Sequence, residues 1–96
     1  MKRVTILGAT GSVGRNVLDV IAHQRDAYQV EALVAGQDVE ALVDLARRFS
    51  PRYVAVADER VYERLKDGLS GLAIACGAGR AAVLEAARRP CDLVVA

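Results

Sequence analysis

Three glycines stand in a short segment whose chemistry suits the binding of a nucleotide phosphate. The segment reads G-A-T-G-S-V-G (8–14), and it lies between a short apolar stretch and a stretch with helical spacing. Gly8 would allow a sharp turn out of a strand, and Gly14 would let the following helix pack closely against the sheet. Gly11 has no Cβ, so a pyrophosphate could approach its backbone closely.

Polar groups around this glycine turn could hold the anion itself. Backbone N–H groups of Ser12 and Val13 would point at a phosphate, and the helix dipole favours its negative charge. The hydroxyls of Thr10 and Ser12 could donate to phosphate oxygens. The spacing is G-x-x-G-x-x-G rather than the commoner G-x-G-x-x-G, and a glycine turn can also be purely structural. Its position between a strand and a helix favours nucleotide binding.

A second contact with a dinucleotide is expected where the second predicted strand ends, at Gly36-Gln37-Asp38. An acid at this place usually accepts from the ribose 2′-OH of NAD, whereas a basic residue accommodates the 2′-phosphate of NADP. Gln37 is neutral and Asp38 would repel a phosphate if it pointed inward, so the residues taken alone lean mildly towards NAD or weak discrimination. The alternative is that Asp38 simply caps the next helix.

The apolar pattern alternates between short strands and amphipathic helices along the chain. Strands are predicted at 3–7, 28–35, 53–57, 72–75 and 92–95, and helices at 12–25, 40–48, from 58 onwards and at 80–89. The first helix should turn four residues towards the sheet: Val13, Val17, Val20 and Ile21. Such alternation predicts an α/β fold, a doubly wound parallel sheet of the Rossmann-like kind. Because the chain ends inside its fifth predicted strand, we expect residues 1–96 to be the dinucleotide-binding domain, an N-terminal fragment, of a larger protein.

The composition argues against several other classes of protein. Thirteen Lys and Arg against twelve Asp and Glu give a net charge of +1, which offers no broad electrostatic footprint for nucleic acid or an anionic membrane. The longest stretch without charge, 68–79, is twelve residues long, and a membrane-spanning helix needs about 20. Two cysteines, Cys76 and Cys91, are too few for a disulfide scaffold. A cytoplasmic protein that binds neither nucleic acid nor membrane is expected.

No reaction centre can be assembled from these residues. The only histidine, His23, falls late on the first predicted helix, away from the glycine turn, where a surface or packing role is expected. No Ser-His-Asp arrangement and no cluster with metal-ligand spacing is present in the sequence. We therefore expect no catalytic and no metal-binding residues in this segment.

Six segments together resemble the 1-deoxy-D-xylulose 5-phosphate reductoisomerase family. They are V-T-I-L-G-A-T-G-S-V-G (4–14), V-L-D-V-I (17–21), A-L-V-A-G (32–36), V-E-A-L (39–42), F-S-P-R-Y-V-A-V-A-D-E (49–59) and D-L-V-V-A (92–96). The glycine turn alone is shared with many dehydrogenases, so the specificity comes from the combination. The resemblance runs through essentially the whole chain but covers only the N-terminal part of that enzyme.

The resemblance implies an enzyme that converts 1-deoxy-D-xylulose 5-phosphate to 2-C-methyl-D-erythritol 4-phosphate in non-mevalonate isoprenoid biosynthesis. It implies NADPH and Mg²⁺ or Mn²⁺ as cofactors, a homodimer, and metal and phosphorylated-substrate ligands beyond Ala96. The cofactor-binding positions it implies here are Thr10, Gly11, Ser12, Val13, Gly36, Gln37 and Asp38. The family often has a basic residue followed by Asn where this chain has Gln37 and Asp38, so the preference for NADPH stays open. The isolated segment is expected to be inactive.

Two other classes of protein share the glycine turn. An aspartate-semialdehyde dehydrogenase usually carries a Ser/Arg-rich phosphate loop after the second strand, and A-G-Q-D-V (35–39) differs from it. An atypical short-chain dehydrogenase needs a Tyr-x-x-x-Lys pair, a spacing that Tyr62 and Lys66 have, so the residues alone leave this class open. A non-catalytic nucleotide-binding module is a further alternative, and the length of the native gene would discriminate it from an enzyme.

Overall fold

A computed structural model describes all residues, 1–96, as alternating strands and helices around one sheet. The strands are β1 (Lys2–Ile6), β2 (Tyr28–Ala35), β3 (Tyr53–Val56), β4 (Ala75–Ala78) and β5 (Leu93–Val95). The helices are α1 (Ser12–Ala22), α2 (Val39–Phe49), α3 (Tyr62–Gly68) and α4 (Arg80–Arg88). The predicted alternation is therefore confirmed.

All neighbouring strands are parallel, in the order β4-β3-β2-β1-β5. The chain moves outward from β1 to β4 and then returns across the sheet to place β5 on the other side of β1. The strand order thus reverses next to β1, which is where open α/β sheets bind their ligands. This topology confirms the predicted Rossmann-like class.

Helices α1, α2 and α3 cover one face of the sheet and form the main core with it. Its fully buried members include Ile6, Leu18, Leu33, Leu42, Val54 and Leu65. The inner face of α1 differs from the prediction, because Val13 is 60% and Val20 54% exposed, whereas Gly14, Leu18 and Ile21 are buried. The reason is the rotation of α1 about its own axis. Gly14 packs against the backbone of Gly8 and Ala9, and this orientation leaves Val13 and Val20 on the outer side of the helix.

Helix α4 covers the opposite face and builds a second, smaller core from small side chains. Ala82 and Ala86 of this helix pack on β2 and β3, next to Tyr53. A Cβ on Gly77 of β4 would lie 2.6 Å from the Tyr53 hydroxyl and 2.9 Å from the Ala82 Cβ. The close approach of this helix therefore requires glycine at position 77.

Tyr53 lies in this smaller core, and burial of its phenol raises the pKa of the Tyr53 hydroxyl.

Strand β4 does not lie where the apolar pattern predicts it. The prediction was 72–75, but pairing with β3 joins Tyr53 to Ala75 and continues to Ala78, while Leu72 is 38% exposed in a turn. The small residues A-C-G-A have a weak intrinsic preference for strands. They form β4 because α4 packs so closely on this part of the sheet that larger side chains would not fit. Local preference is overridden by packing at this strand.

Two predicted helix boundaries also shift. Helix α1 ends at Ala22, three residues early, and the exposed His23 follows it with its Nδ1 2.7 Å from the Asp19 carbonyl. The surface position expected for His23 is confirmed. After β3 the chain first forms a 3₁₀ turn, Glu59–Val61, and only then enters α3.

A β-bulge in β2 turns a carboxylate into the interior. Val4 pairs with Val30 and Thr5 with Ala32, so Glu31 is left over, and it is only 3% exposed. Its carboxylate accepts from Arg3 at 3.1 Å and from Arg89 at 2.8 Å. The Arg89 guanidinium also lies 5.1 Å from the centre of the Tyr53 ring. This charge cluster ties the end of α4 to the first two strands.

None of the helices is long and apolar enough to cross a membrane. Cys76 and Cys91 are both free and half-buried. Burial raises the pKa of the Cys76 thiol, which keeps it protonated at neutral pH.

Candidate nucleotide-binding site

The glycine turn lies at the carboxyl edge of the sheet and is held against it by the backbone. The N–H of Ala9 donates to the Val34 carbonyl at 2.9 Å, and the N–H of Gly11 donates to Gly8 at 3.2 Å. A Cβ on Gly14 would lie 2.1 Å from the Gly8 oxygen and 2.9 Å from the Ala9 Cα. The close helix packing predicted from Gly14 is therefore confirmed.

The other two glycines of the turn are under no such constraint. A Cβ on Gly8 would meet nothing within 4 Å, and one on Gly11 would make only an ordinary contact of 3.5 Å with the Gly8 oxygen. Neither has a positive φ. The chain turns after β1 as predicted, but the turn does not require glycine at position 8. The fold therefore does not require glycine at position 11.

The first turn of α1 presents unpaired amides at this edge. Gly11 is the N-cap and no side chain caps the helix, while the N–H groups of Ser12, Val13 and Gly14 have no hydrogen-bond partner within the chain. The first turn also carries no acidic residue. Unpaired N–H groups at the positive end of an eleven-residue helix attract an anion.

Arg15 was not singled out by the sequence analysis, although it stabilises this turn. Its Nε donates to the Thr10 carbonyl at 3.0 Å, and its backbone N–H donates to Gly11 at 3.0 Å. The guanidinium therefore adds positive charge beside the helix N-terminus. A cation directly after the last glycine of the motif was the only available signal for it.

The second predicted contact region, Gly36-Gln37-Asp38, follows β2 at the same edge of the sheet, and all three residues are exposed. The Asp38 Oδ1 accepts from the Ala41 N–H at 3.2 Å, so Asp38 caps α2. The cap is therefore confirmed, and a cofactor contact by Asp38 stays a prediction. A Cβ on Gly36 would meet nothing within 4 Å.

The capping role of Asp38 predicts different effects for two substitutions. Asp38→Ala removes the acceptor and is expected to lower the free energy of unfolding by about 1 kcal/mol, whereas Asp38→Asn retains an acceptor and should cost less than about 0.5 kcal/mol. Urea denaturation of both variants measures the difference. Equal losses in the two variants would show that the cap does not stabilise α2.

No group of three or more His, Cys, Asp or Glu side chains comes together in a way that could hold a metal ion. We therefore derive no metal chemistry from these residues. His23 lies at the far end of α1 from the glycine turn. The candidate site consequently consists of the uncapped N-terminus of α1 and the adjacent exposed turn after β2.

The sheet order and the glycine turn together define a Rossmann-like α/β domain, the class that many enzymes use to bind dinucleotides. A family model described as 1-deoxy-D-xylulose 5-phosphate reductoisomerase matches residues 4–96. The chain belongs to the 1-deoxy-D-xylulose 5-phosphate reductoisomerase family.

Individual relatives agree with this assignment. The reductoisomerases of Nitrobacter hamburgensis and Rhodospirillum centenum are each 50% identical over all 96 residues, which make up 24% of each relative. The Zymomonas mobilis reductoisomerase, solved in complex with NADPH, superposes with a TM-score of 0.94 at 41% identity, covering 97% of this chain and 25% of that one. A reductoisomerase solved with NADPH, fosmidomycin and magnesium gives a TM-score of 0.90 at 29% identity, covering 98% and 24%. The chain thus spans about a quarter of the length of the relatives it matches.

Proposed function

We propose that residues 1–96 form the N-terminal NADPH-binding domain of a 1-deoxy-D-xylulose 5-phosphate reductoisomerase. Such an enzyme converts 1-deoxy-D-xylulose 5-phosphate to 2-C-methyl-D-erythritol 4-phosphate on the non-mevalonate route to isoprenoids. The observation that carries the proposal is the uncapped N-terminus of α1, whose amides are unpaired at the glycine turn. The similarity to a reductoisomerase solved with NADPH supports the choice of ligand.

The residues at the carboxyl edge fit a dinucleotide. The amides of Ser12 and Val13 would hold the pyrophosphate, with the Thr10 and Ser12 hydroxyls as further donors, since no side chain of the protein competes for these amides. The open backbone of Gly11 leaves room for a phosphate to approach. When bound, NADPH supplies the hydride for the reduction.

The exposed turn after β2 would contact the adenosine end of the cofactor. Gly36, Gln37 and Asp38 project from the edge next to the glycine turn, to which β2 is joined by the bond from Ala9 to Val34. Asp38 is engaged in capping α2. Its carboxylate is thereby directed to the helix rather than left free for a ribose hydroxyl.

The rest of the activity would depend on residues outside this chain. We assign the divalent metal ion, Mg²⁺ or Mn²⁺, and the phosphorylated substrate to further domains of a cytoplasmic homodimer that contacts neither nucleic acid nor membrane. The 96-residue segment alone is accordingly inactive. The length of the native gene tests this division: several hundred further codons would support it, and a stop codon near Ala96 would contradict it.

Titration of the full-length protein with NADPH and NADH, followed by nicotinamide fluorescence, tests the proposal. We expect NADPH to bind more tightly, and Gly11→Ala to weaken it about tenfold or more, because a Cβ stands where the pyrophosphate approaches. The same substitution should leave the free energy of unfolding within about 0.5 kcal/mol, since its Cβ meets only an ordinary contact. Tighter binding of NADH, or no binding of either, would contradict the proposal.

A further inference from the structure

The turn that should receive the adenosine end of NADPH carries no cation of its own. A 2′-phosphate is ordinarily accommodated by a basic residue near the end of the second strand. In this chain Gln37 is neutral, and the Asp38 carboxylate is an anion that caps α2. Selectivity for NADPH would therefore need positive charge from a neighbouring segment.

The turn after β3 is directly joined to the turn after β2. The N–H of Ala57 donates to the Ala35 carbonyl at 3.0 Å, and the N–H of Asp58 donates to the Gly36 carbonyl at 3.0 Å. Parallel pairing thus continues past the end of both strands. As a result, Asp58 and the residues after it stand beside the predicted adenosine contact.

A guanidinium is held in place at this turn. Asp58 Oδ1 accepts from the backbone N–H of Arg60 at 2.9 Å and from its Nε at 3.0 Å, and Oδ2 accepts from Nη2 at 2.8 Å. The Arg60 side chain is nevertheless 86% exposed, against 18% for Asp58. Side-chain hydrogen bonds from Arg60 also hold the pKa of the Asp58 carboxyl below its usual range, so the pair stays charged at neutral pH.

The forked pairing occupies only one edge of the guanidinium. A guanidinium has five N–H donors, and Asp58 engages Nε and one N–H of Nη2. Nη1 and the outer N–H of Nη2 remain directed away from the carboxylate. Arginine presents such paired donors in a geometry that matches phosphate.

We propose that Arg60, held by Asp58 beside Gly36, is the cation that recognises the 2′-phosphate of NADPH in this protein. The assignment rests on the proposed NADPH-binding function and adds the residue that would determine its selectivity. Asp58 acts as a positioning residue, because it fixes the orientation of the guanidinium before the cofactor arrives. The neutral Gln37 is then compatible with NADPH, since the charge comes from the next strand.

Two other arginines provide matched comparisons. Arg15 lies at the glycine turn and donates through Nε to the Thr10 carbonyl, which would place it near the pyrophosphate. Arg64 lies on α3, and its Nη2 is 3.8 Å from the Glu40 carboxylate. Loss of Arg15 would weaken the binding of every ligand that carries the 5′-phosphate, with or without a 2′-phosphate. Loss of Arg64 should weaken the binding of none of them.

The test compares 2′,5′-ADP with 5′-AMP, which differ only in the 2′-phosphate, by calorimetry on the full-length protein. Arg60→Gln should raise the dissociation constants of 2′,5′-ADP and NADPH about tenfold, which corresponds to the loss of one exposed charge-assisted hydrogen bond. The dissociation constants of 5′-AMP and NADH should stay within about twofold of those of the unmodified protein. Arg60→Lys keeps the charge without the fork and should show an intermediate loss. Arg64→Gln should bind all four ligands like the unmodified protein.

Several outcomes would overturn the assignment. An equal loss of 2′,5′-ADP and 5′-AMP in Arg60→Gln would indicate a structural role, and unchanged binding would show that Arg60 does not reach the phosphate. A selective loss in Arg15→Gln would transfer the role to Arg15. If the unmodified protein binds NADPH and Arg60→Gln binds it equally well, only this assignment is wrong; if the unmodified protein binds no dinucleotide, the proposed function is wrong as well.

Discussion

Replacing Gly14 with alanine is expected to lower the free energy of unfolding by about 2–4 kcal/mol, towards the upper end of overpacking effects. The added Cβ would lie 2.1 Å from the Gly8 oxygen and 2.9 Å from the Ala9 Cα. Both neighbours are backbone atoms, so no side-chain rotation can relieve the contact. Either α1 moves away from the sheet or the glycine turn changes shape.

The same substitution is expected to weaken NADPH binding about a hundredfold or more, because phosphate recognition depends on the position of the first-turn amides. Urea denaturation and nicotinamide fluorescence measure the two effects on one protein sample. Gly8→Ala is the matched control, since its Cβ meets nothing within 4 Å, and its free energy of unfolding should change by less than about 0.5 kcal/mol. Wild-type stability in Gly14→Ala would show that the turn tolerates a Cβ at this position.

Replacing Glu31 with glutamine is expected to cost about 3 kcal/mol of unfolding free energy, because it removes the one carboxylate buried among arginines. Glu31 is 3% exposed, and it accepts from Arg3 at 3.1 Å and from Arg89 at 2.8 Å, with the Arg52 Nε 4.0 Å away. The Arg89 side chain is only 25% exposed. Without the Glu31 carboxylate, the Arg3 and Arg52 side chains would have no acidic partner, and Arg89 would keep only the exposed Glu85.

Glu85 provides the matched control for this prediction. It accepts from the Nη1 of Arg89 at 3.2 Å, but its side chain is 54% exposed. Glu85→Gln should therefore cost less than about 0.5 kcal/mol, as for other exposed pairs one helical turn apart. Comparable losses in the two variants, measured by urea denaturation, would mean that burial of Glu31 does not strengthen its pairing.

Part of the candidate cofactor site is encoded in residues that are close together in the sequence. The glycine turn, its position between a strand and a helix, and the close packing at Gly14 all follow from residues near one another in the chain. The cap at Asp38 was predicted as an alternative to a cofactor contact; the bond from the Ala41 N–H confirms the cap, and the cofactor contact stays a prediction. Arg15 was missed although it directly follows the last glycine of the motif, and Arg60 was missed because no local pattern shows that the turn after β3 lies beside Gly36.

Some features of the fold are likewise set by neighbouring residues, and others by contacts between distant segments. The sequence by itself determined the alternation of strands and helices, the parallel α/β class and the family resemblance, because strand and helix periodicities and glycine positions are properties of neighbouring residues. Only the tertiary structure decided the strand order β4-β3-β2-β1-β5, the shift of β4 to Ala75–Ala78 and the burial of Glu31 among arginines. Each of these depends on contacts between segments far apart in the chain. Packing against α4 or pairing with a distant charge can override a local preference, and no local pattern records which segments will meet.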